Sequence, residues 1–313
     1  MTTVLVTGQF SPENVERMRH AAPNVELRFV AKLADGADGL ADVEAIAGTI
    51  KASHLARAPR LKWVHSWAAG ADNDLFPEML DSPVVLTSST GNGAIPLAEH
   101  SMLLMLMLNR DVPRWIRAQT ERKWERFMHP ELNGLTLGIF GLGNSGSDLA
   151  LKAKAFHMRV LGLRRNADRP VPGVDRMFSI HQLHPFLAEC DFVVVTTPST
   201  PDTLGVFDAA AFKAMKPSAY FICISRGGIA DDTALLQALN ERWIAGAGLD
   251  AHSVEPLPAD SPFWSLPNVI VTPHNGATTP GTAQRSVEIF IDNLRRYLSG
   301  EPLRNVVDKS AGY

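Results

Sequence analysis

The chain has 313 residues, 45% hydrophobic and 20% charged, which is the composition of a soluble globular protein and is long enough for two domains. Its formal net charge of -3 gives no electrostatic reason to expect nucleic acid or an anionic membrane as a partner. The longest apolar run, residues 102–108, is far shorter than the ~20 residues of a membrane-spanning helix.

The two cysteines, Cys190 and Cys223, both lie in apolar segments. We therefore expect reduced core residues rather than a disulfide. The first ten residues run directly into a strand pattern, without a basic region or a long apolar run, and predict no signal peptide. These features predict a cytoplasmic protein, and we expect no metal site.

Strand and helix patterns alternate over about the first 97 residues. The patterns predict a parallel α/β sheet with helices on both faces. No glycine-rich turn follows any of these strands, so we do not expect this part of the chain to hold a dinucleotide. The predicted strands are 4–6, 25–30, 61–65 and 84–87, the predicted helix is 12–20, and 43–50 fits either a helix or a strand.

The segment WAAGADN, residues 67–73, follows one of these predicted strands. Ligands of open parallel sheets bind at the carboxyl ends of the strands. The small residues of this segment could expose consecutive backbone N–H groups to an anion such as a carboxylate. An ordinary loop explains the segment equally well.

A long helix is predicted to begin at Pro96 and Leu97, and it is apolar on every side over residues 102–108. We expect it to be buried on every side and to run between the domains. His100 in this helix is expected to be a hydrogen-bonded core residue rather than a catalyst. Residues 114–126 combine basic and aromatic side chains, but nearby acids favour a charged arm that packs against a second subunit over a nucleic-acid site.

The stretch LTLGIFGLGNSG, residues 135–146, has the pattern of a buried strand, a tight turn and the start of a helix over 144–156. Its glycines, Gly141, Gly143 and Gly146, fit the G-x-G-x-x-G pattern of a dinucleotide-binding turn. They would permit the turn, the approach of a pyrophosphate and close packing of helix on strand. The helix would direct its first N–H groups and positive dipole end at that pyrophosphate. The context favours a Rossmann unit over an ordinary glycine turn.

Strand–helix alternation continues to about residue 282, and a final helix over 282–298 would return the chain to the first domain. The number and spacing of the strands are typical of a complete dinucleotide-binding domain. The predicted strands are 137–140, 159–163, 192–196, 220–224, 245–249 and 269–271, and predicted helices include 209–215 and 232–241.

The second strand of this domain is followed by Arg164 and Arg165. An NAD site has an acidic residue about 20 residues after the glycines, where it binds the ribose 2′-hydroxyl. Two guanidinium groups would instead attract a 2′-phosphate, which a carboxylate would repel. We therefore predict that NADP(H) is preferred and NAD(H) is possible, with two solvent-facing arginines as the alternative explanation.

Three polar segments, SRGG (225–228), DAHSVEPL (250–257) and TPHNGA (272–277), each follow a predicted strand of this sheet. Because the carboxyl ends of parallel strands meet at one edge, Arg226, Glu255 and His274 are expected around one crevice. A protonated histidine can supply the proton that hydride transfer to a ketone requires, and a glutamate can orient it. An arginine can bind the carboxylate of a 2-oxo acid and polarise its carbonyl. Taken singly, each residue also fits an ordinary surface or loop position.

On these motifs the chain resembles the D-isomer-specific 2-hydroxyacid dehydrogenases over nearly its whole length. The resemblance implies two doubly wound parallel-sheet domains, a flavodoxin-like substrate domain (1–97 with 283–313) and a Rossmann domain (98–282), usually in a homodimer. It implies that Arg226, Glu255 and His274 are catalytic and that Ala69, Gly70 and Arg226 bind the carboxylate of the substrate. Trp67 is a further candidate for substrate binding, because its side chain could set the size of the pocket. It also implies that Asp250 binds the nicotinamide amide. The expected cofactor-binding residues are Gly141, Leu142, Gly143, Asn144, Ser145, Gly146, Arg164, Arg165, Thr197, Pro198, Ile224, Ser225, Asp250, His274 and Gly276.

The chain departs from the family pattern at a few positions. Cys223 stands where the family usually has Asn, Ala251-His252 replaces Val-Phe, and His157 stands where glycine is common. No catalytic group is lost, although the residues after Asp250 put the substrate preference in doubt.

The arginine pair makes the chain similar to the NADPH-preferring glyoxylate/hydroxypyruvate reductase branch, which reduces small 2-oxo acids to D-2-hydroxy acids. Two other interpretations stay open. One is a nucleotide-sensing, corepressor-like relative, and the other is an NAD-linked dehydrogenase of the D-lactate or phosphoglycerate type.

Overall fold

The computed structural model describes residues 2–312. The chain divides into two compact units, Met1–Gly93 with Thr279–Tyr313 (unit 1) and Ala94–Thr278 (unit 2). Each unit is built on a parallel sheet with helices, which confirms the predicted α/β fold class. The boundaries predicted from the sequence, at 97/98 and 282/283, remain a proposal for the functional domains.

The strands and helices of the described residues alternate along most of the chain. The strands are β1 (Thr3–Thr7), β2 (Glu26–Val30), β3 (Val43–Ala47), β4 (Trp63–Ser66), β5 (Val85–Ser88), β6 (Thr136–Phe140), β7 (Arg159–Leu163), β8 (Arg176–Phe178), β9 (Phe192–Val195), β10 (Tyr220–Cys223), β11 (Gly246–Leu249) and β12 (Val269–Val271). The α-helices are α1 (Pro12–Ala21), α2 (Ala52–Arg57), α3 (Pro77–Leu80), α4 (Ala94–Asn109), α5 (Val112–Thr120), α6 (Asn144–Ala155), α7 (Leu183–Glu189), α8 (Ala209–Ala214), α9 (Asp232–Asn240) and α10 (Pro280–Ser299).

Over its described residues, unit 1 has a five-stranded parallel sheet in the order β2-β1-β3-β4-β5. The segment 43–50, which fits either a helix or a strand by its pattern, contains the strand β3. This strand lies between β1 and β4 and is buried along its whole length, including Glu44, whose carboxylate is ion-paired with Arg60 and Lys62. One face of the sheet packs on Val287, Phe290 and Leu294 of α10.

Unit 2 has a sheet of seven described strands in the order β12-β11-β10-β9-β6-β7-β8. All six strands predicted for this part of the chain are present. The strand β8 was not predicted, because three residues at a sheet edge carry too little periodicity to distinguish a strand from a loop. The strand order reverses between β6 and β9, and such a switch point is where open α/β sheets bind their ligands.

The long helix α4 begins two residues before the predicted start, and most of its apolar side chains are buried. Leu104 and Met105 have no exposed surface, and the helix packs on α6, β10 and β11. The prediction of burial on every side is wrong at Leu103, which is 48% exposed. That the helix runs between the domains stays a prediction. Among the described residues, we find no helix whose length and hydropathy would let it cross a membrane.

Both cysteines are buried and free, as predicted. Burial raises the pKa of the Cys190 and Cys223 thiols, so both are neutral and unreactive near neutral pH. Their positions in the interior of unit 2 make them core residues rather than nucleophiles.

Candidate active site

The glycine turn begins directly after the central strand β6. Gly141 has a φ of +100°, and a Cβ at this position would lie 2.8 Å from the backbone nitrogen of Thr197. A Cβ on Gly146 would lie 2.1 Å from the carbonyl oxygen of Gly141, so only glycine allows α6 to start this close to the strand. A Cβ on Gly143 would meet nothing within 4 Å, which leaves open space at this position.

This turn fits the pyrophosphate of a dinucleotide. Helix α6 begins at Asn144, with Gly143 in extended conformation just before it. The first N–H groups of a helix have no acceptor in the preceding turn, and together with the helix dipole they form an anion site. The open space at Gly143 lies at this helix end, where the backbone could approach a phosphate group.

Arg164 and Arg165 lie at the carboxyl end of β7, the strand next to β6. The side chain of Arg164 donates to the carbonyl oxygen of Arg169, and its buried Nε has no hydrogen-bond partner among the described residues. The Arg165 side chain is 64% exposed, and its Nη2 lies 3.0 Å from the Asp202 carboxylate. The structure therefore has two guanidinium groups and no acid directly after β7.

The segments that follow β9 and β10 lie at the same edge of the sheet as the glycine turn. Thr196 donates its hydroxyl hydrogen to the carbonyl oxygen of Gly141 over 2.5 Å, and Thr197 is in contact range of the same glycine. Ile224 is buried after β10, and the hydroxyl of Ser225 is a buried polar atom without a hydrogen-bond partner among the described residues. An unsatisfied hydroxyl in a polar loop is a group that a bound ligand can satisfy.

His274 and Glu255 form a direct pair, although 19 residues separate them along the chain. The Nδ1 atom of His274 lies 2.9 Å and 2.8 Å from the two carboxylate oxygens of Glu255. A carboxylate at Nδ1 fixes the proton on that nitrogen and leaves Nε2 as the atom for proton transfer. The His274 side chain is 38% exposed, so the ring is accessible.

The backbone and electrostatics of this pair are both constrained. His274 has a φ of +51°, in the left-handed region that non-glycine residues rarely adopt and that occurs often at functional sites. Burial alone would raise the pKa of Glu255, but the hydrogen bonds from the His252 N–H and from His274 outweigh it and hold that pKa below its ordinary value. Glu255 is thus ionised at neutral pH, and its carboxylate accepts the hydrogen on Nδ1 of His274.

Arg226 lies on the loop after β10, next to the loop that contains Glu255. A Cβ on Gly227 would lie 2.0 Å from the carbonyl carbon of His252, so these two loops are in close backbone contact. The backbone N–H of Gly228 donates to the hydroxyl of Ser253 over 3.0 Å. Arg226 itself donates from Nη1 to the carbonyl oxygen of Ser225 over 2.7 Å. The loop that presents the guanidinium group is therefore positioned against the loop of the His–Glu pair.

Asp250, at the end of β11, is fully buried and binds the turn that contains His274. Its carboxylate accepts hydrogen bonds from the hydroxyl of Thr272 at 2.6 Å and from the backbone N–H groups of Asn275 at 3.1 Å and Gly276 at 3.0 Å. Burial alone would raise the pKa of Asp250, but His100, Thr272 and Gly276 hold it well below its ordinary value. Asp250 therefore carries a permanent buried charge, and whether it also binds a nicotinamide amide stays a prediction.

In unit 1, the loop after β4 contains Ala69 and Gly70. The backbone N–H of Ser89 donates to the carbonyl oxygen of Ala68 over 2.9 Å. The hydroxyl of Thr90 donates to the carbonyl oxygen of Ala69, also over 2.9 Å. In a trans peptide the N–H points opposite to the carbonyl. The N–H groups of Ala69 and Gly70 are therefore both directed away from residues 89–90, which gives two adjacent donors suited to a carboxylate.

Trp67 packs inside unit 1. Its indole N–H donates to the carbonyl oxygen of Thr7 over 2.9 Å, and its ring contacts Phe10, His65 and Phe290. The predicted role of Trp67 in substrate binding is therefore restricted to apolar contact by the part of its ring that these neighbours leave uncovered.

The residues that support this site carry no signal in the sequence that shows their contacts. His100 does have the predicted hydrogen bond, to the hydroxyl of Thr272 at 3.1 Å. Its link to the His274 turn, and the parts played by Thr272, Ser89 and Thr90, depend on contacts between distant segments that spacing does not reveal. The burial of His252, three residues after β11, and its partners likewise carry no signal in the spacing of the chain.

The chain is also similar to a known protein family and to solved structures. Residues 102–276 match the family described as D-isomer specific 2-hydroxyacid dehydrogenase, NAD binding domain. A glyoxylate reductase from Korarchaeum cryptofilum is 33% identical over 85% of this chain and 82% of its own length. A D-3-phosphoglycerate dehydrogenase from Archaeoglobus fulgidus is 31% identical over 97% of this chain, which spans only 59% of that protein.

A solved structure is similar over both full lengths. It is an NADPH-dependent glyoxylate/hydroxypyruvate reductase from Sinorhizobium meliloti in complex with NADP and sulfate, 32% identical with a TM-score of 0.87 and 100% coverage of both chains. A glycine turn at the switch point of a doubly wound sheet, with a His–Glu pair in the same unit, defines an NAD(P)-dependent oxidoreductase. The chain belongs to the D-isomer-specific 2-hydroxyacid dehydrogenase family.

Proposed function

We propose that this protein reduces small 2-oxo acids, of the glyoxylate or hydroxypyruvate kind, to D-2-hydroxy acids with NADPH. The observation that supports this most strongly is the His274–Glu255 pair, which lies in the same unit as the glycine turn. The names of the Korarchaeum and Sinorhizobium relatives support the same substrate class. The buried free thiols of Cys190 and Cys223 support a reducing compartment such as the cytoplasm.

In this proposal the reduced nicotinamide, when bound, supplies the hydride. Arg226 and the N–H groups of Ala69 and Gly70 bind the carboxylate of the substrate. His274 holds a proton on Nε2 for the substrate oxygen, and Glu255 orients the ring and stabilises its protonated form. The residues proposed to hold the cofactor are Gly141, Leu142, Gly143, Asn144, Ser145, Gly146, Arg164, Arg165, Thr197, Pro198, Ile224, Ser225, Asp250, His274 and Gly276.

The proton-donor role is tested by His274→Ala, assayed by the loss of NADPH absorbance with glyoxylate and hydroxypyruvate. We expect kcat to fall by roughly 10²–10⁴ because the general acid is lost. Glu255→Gln should reduce kcat less, since the ring of His274 loses the carboxylate that orients it. His184→Phe, on the exposed surface of α7, is the control. A kcat near that of the wild type in His274→Ala would remove His274 from the mechanism.

The preference for NADPH is proposed from Arg164 and Arg165. One charge-assisted hydrogen bond contributes about 1.5–3 kcal/mol, so even the loss of a single one in Arg164→Asp with Arg165→Ala should lower the NADPH/NADH ratio of kcat/KM by about 10–100-fold. Arg159→Ala is the matched control, because Arg159 is an exposed, ion-paired arginine at the opposite end of the same strand. An unchanged ratio in the double variant would contradict the assignment.

Substrate assays also separate the other interpretations. No turnover of any 2-oxo acid, together with tight NADPH binding, would favour a nucleotide sensor. Efficient turnover with NADH alone would favour the phosphoglycerate or lactate type, to which the Archaeoglobus relative belongs by name.

We also propose a homodimer in which residues 121–131, the segment after α5, contact a second copy. Trp124 is 93% and Met128 is 99% exposed, which is unusual for side chains of this size. Arg114 holds the segment to α5 through an ion pair with Glu125 and by stacking 4.1 Å from the Phe127 ring centroid. Sedimentation equilibrium should give a dimer for the wild type and a monomer for Trp124→Ser with Met128→Ser.

A further inference from the structure

The turn that presents His274, residues 272–276, is held at its first residue by two other histidines. His100, on α4, lies with Nε2 3.1 Å from the hydroxyl oxygen of Thr272. His252, after β11, lies with Nε2 3.0 Å from the carbonyl oxygen of the same threonine. Neither histidine has a part in the proposed proton transfer.

The direction of each hydrogen bond follows from the chemistry of the partners. The Thr272 hydroxyl donates its hydrogen to the Asp250 carboxylate over 2.6 Å, so its oxygen can only accept from His100. A carbonyl oxygen is always an acceptor, so His252 donates from Nε2 to Thr272. Each histidine therefore has a hydrogen on Nε2, and Thr272 accepts one hydrogen bond at its side chain and another at its backbone.

The two contacts are connected to the reacting pair by short paths. His252 donates its backbone N–H to Glu255, whose carboxylate accepts from His274. On the other side, the Asp250 carboxylate that binds Thr272 also lies 3.5 Å from His100 and accepts from Gly276. The contacts of Thr272, Asp250 and Glu255 thus restrain the turn on both sides of His274.

The restraint matters because of the backbone of His274. Its φ of +51° is a conformation that persists in a non-glycine residue only where the surroundings determine it. Both His100 and His252 are largely buried, so their hydrogen bonds are protected from competition by water.

We propose that His100 and His252 are positioning residues that fix Thr272 and thereby hold the imidazole of His274 in the geometry for proton transfer. The inference rests on the proposed function, because it concerns the delivery of a proton by His274. It assigns a role to two buried histidines that the proposed proton transfer itself does not use.

The test compares substitutions that remove the donor with others that keep it. His100→Leu and His252→Phe preserve the apolar volume but lose the N–H donor, whereas His100→Gln and His252→Gln place an amide N–H near the position of Nε2. His184→Phe, on the surface of α7, controls for replacing any histidine by an aromatic residue. Thermal unfolding of every variant shows whether the fold is retained.

The first measurement is hydrogen exchange of the backbone amides of Asn275 and Gly276 in the protein without cofactor. We expect faster exchange in His100→Leu and His252→Phe and rates close to the wild type in the glutamine variants. The second measurement is steady-state kinetics, where displacement of a catalytic group by about 1 Å lowers kcat by up to ~10²-fold. We expect such a fall in kcat with KM for the 2-oxo acid unchanged, and recovery in the glutamine variants.

The outcomes separate this inference from the proposed function. Exchange rates like those of the wild type in both donor-free variants would overturn the inference, whatever their activity. Faster exchange with an unchanged kcat would also overturn it. The two histidines would then stabilise the turn, but that stabilisation would not be needed to position His274 for proton transfer. A wild-type protein that reduces no 2-oxo acid would refute the proposed function, and faster exchange in the variants would then still show that the two histidines hold the turn.

Discussion

Asp74 is a buried carboxyl group of unit 1, just after the loop of Ala69 and Gly70. Its side chain is 3% exposed. One oxygen, Oδ2, accepts a hydrogen bond from the hydroxyl of Ser66 over 2.6 Å, and the other, Oδ1, has no hydrogen-bond partner among the described residues. Burial raises the pKa of Asp74, and the nearby carboxylate of Asp72 acts in the same direction, against the Ser66 hydrogen bond.

A raised pKa means that the folded state binds the proton of Asp74 more tightly than the unfolded chain. The contribution of Asp74 to stability is therefore present at low pH and is lost as the pH rises through the folded-state pKa. Asp74→Asn keeps an acceptor for Ser66 without the buried charge. We expect it to raise the free energy of unfolding at pH 7 by about 1 kcal/mol, from urea titrations.

The same gain should shrink at pH 3, which lies below even the ordinary aspartate pKa of 3.8, because the Asp74 carboxyl is then protonated in the folded wild type. Asp38→Asn, at a fully exposed position of unit 1, is the control for removing a carboxylate. An equal gain at pH 7 and at pH 3 would show that the charge of Asp74 is not the cause.

At the scale of elements, the contact of α6 with β6 determines whether the glycine turn can form. Gly146 faces the Gly141 carbonyl, the hydroxyl of Thr196 and the side chain of Ile139, each within 3.1 Å of where a Cβ would be. The nearest of these atoms is backbone, which cannot rotate away as the end of a flexible side chain can.

Gly146→Ala should therefore displace the start of α6 and weaken NADPH binding by about tenfold or more, which corresponds to ~1.4 kcal/mol. Gly143→Ala is the informative partner, because its Cβ has open space in the protein without cofactor. We expect Gly143→Ala to leave thermal unfolding unchanged and still weaken NADPH binding, measured by calorimetric titration. Wild-type affinity in both variants would contradict the assignment of this turn to the cofactor.

At the scale of the whole molecule, pH dependence of stability is expected from His65 in the core of unit 1. The residue has no exposed surface and contacts the rings of Trp63, Trp67 and Phe290. Its ring nitrogens lie 2.9 Å from the Thr87 hydroxyl and 3.2 Å from the Ser89 hydroxyl. Burial lowers the pKa of His65 to about 3, so the folded protein holds this ring neutral.

An unfolded histidine takes up a proton near pH 6.5, whereas the folded one does so only near pH 3. The unfolded state therefore binds more protons in this window, and the stability present at neutral pH is lost as the pH falls. We expect the free energy of unfolding to fall by about 1.4 kcal/mol for each pH unit below 6.5 through this residue. In His65→Gln this dependence, measured by urea unfolding from pH 7 to pH 4, should be weaker by that amount.

Much of the architecture could be predicted because it depends on local patterns. Buried parallel strands are continuous apolar runs, so β6, β7, β9, β10, β11 and β12 were all recognised, as was the glycine turn whose φ and close contacts exclude other residues. The edge strand β8 is not predicted, because a three-residue strand has little periodicity. The exposure of Leu103 is not predicted either, because a helix that is apolar on every side does not show which side lacks a neighbour.

The sequence by itself determined the fold class, the glycine turn and the choice of Arg226, Glu255 and His274 as candidates. Only the tertiary structure shows that Glu255 and His274 are hydrogen-bonded to each other, and that His100 and His252 both form hydrogen bonds with Thr272. The local sequence pattern indicates where each strand ends and which residues follow it, because the backbone geometry of a strand repeats every two residues. Hydrogen-bond partners far apart in sequence are set by how strands and loops pack, and no spacing along the chain encodes that distance.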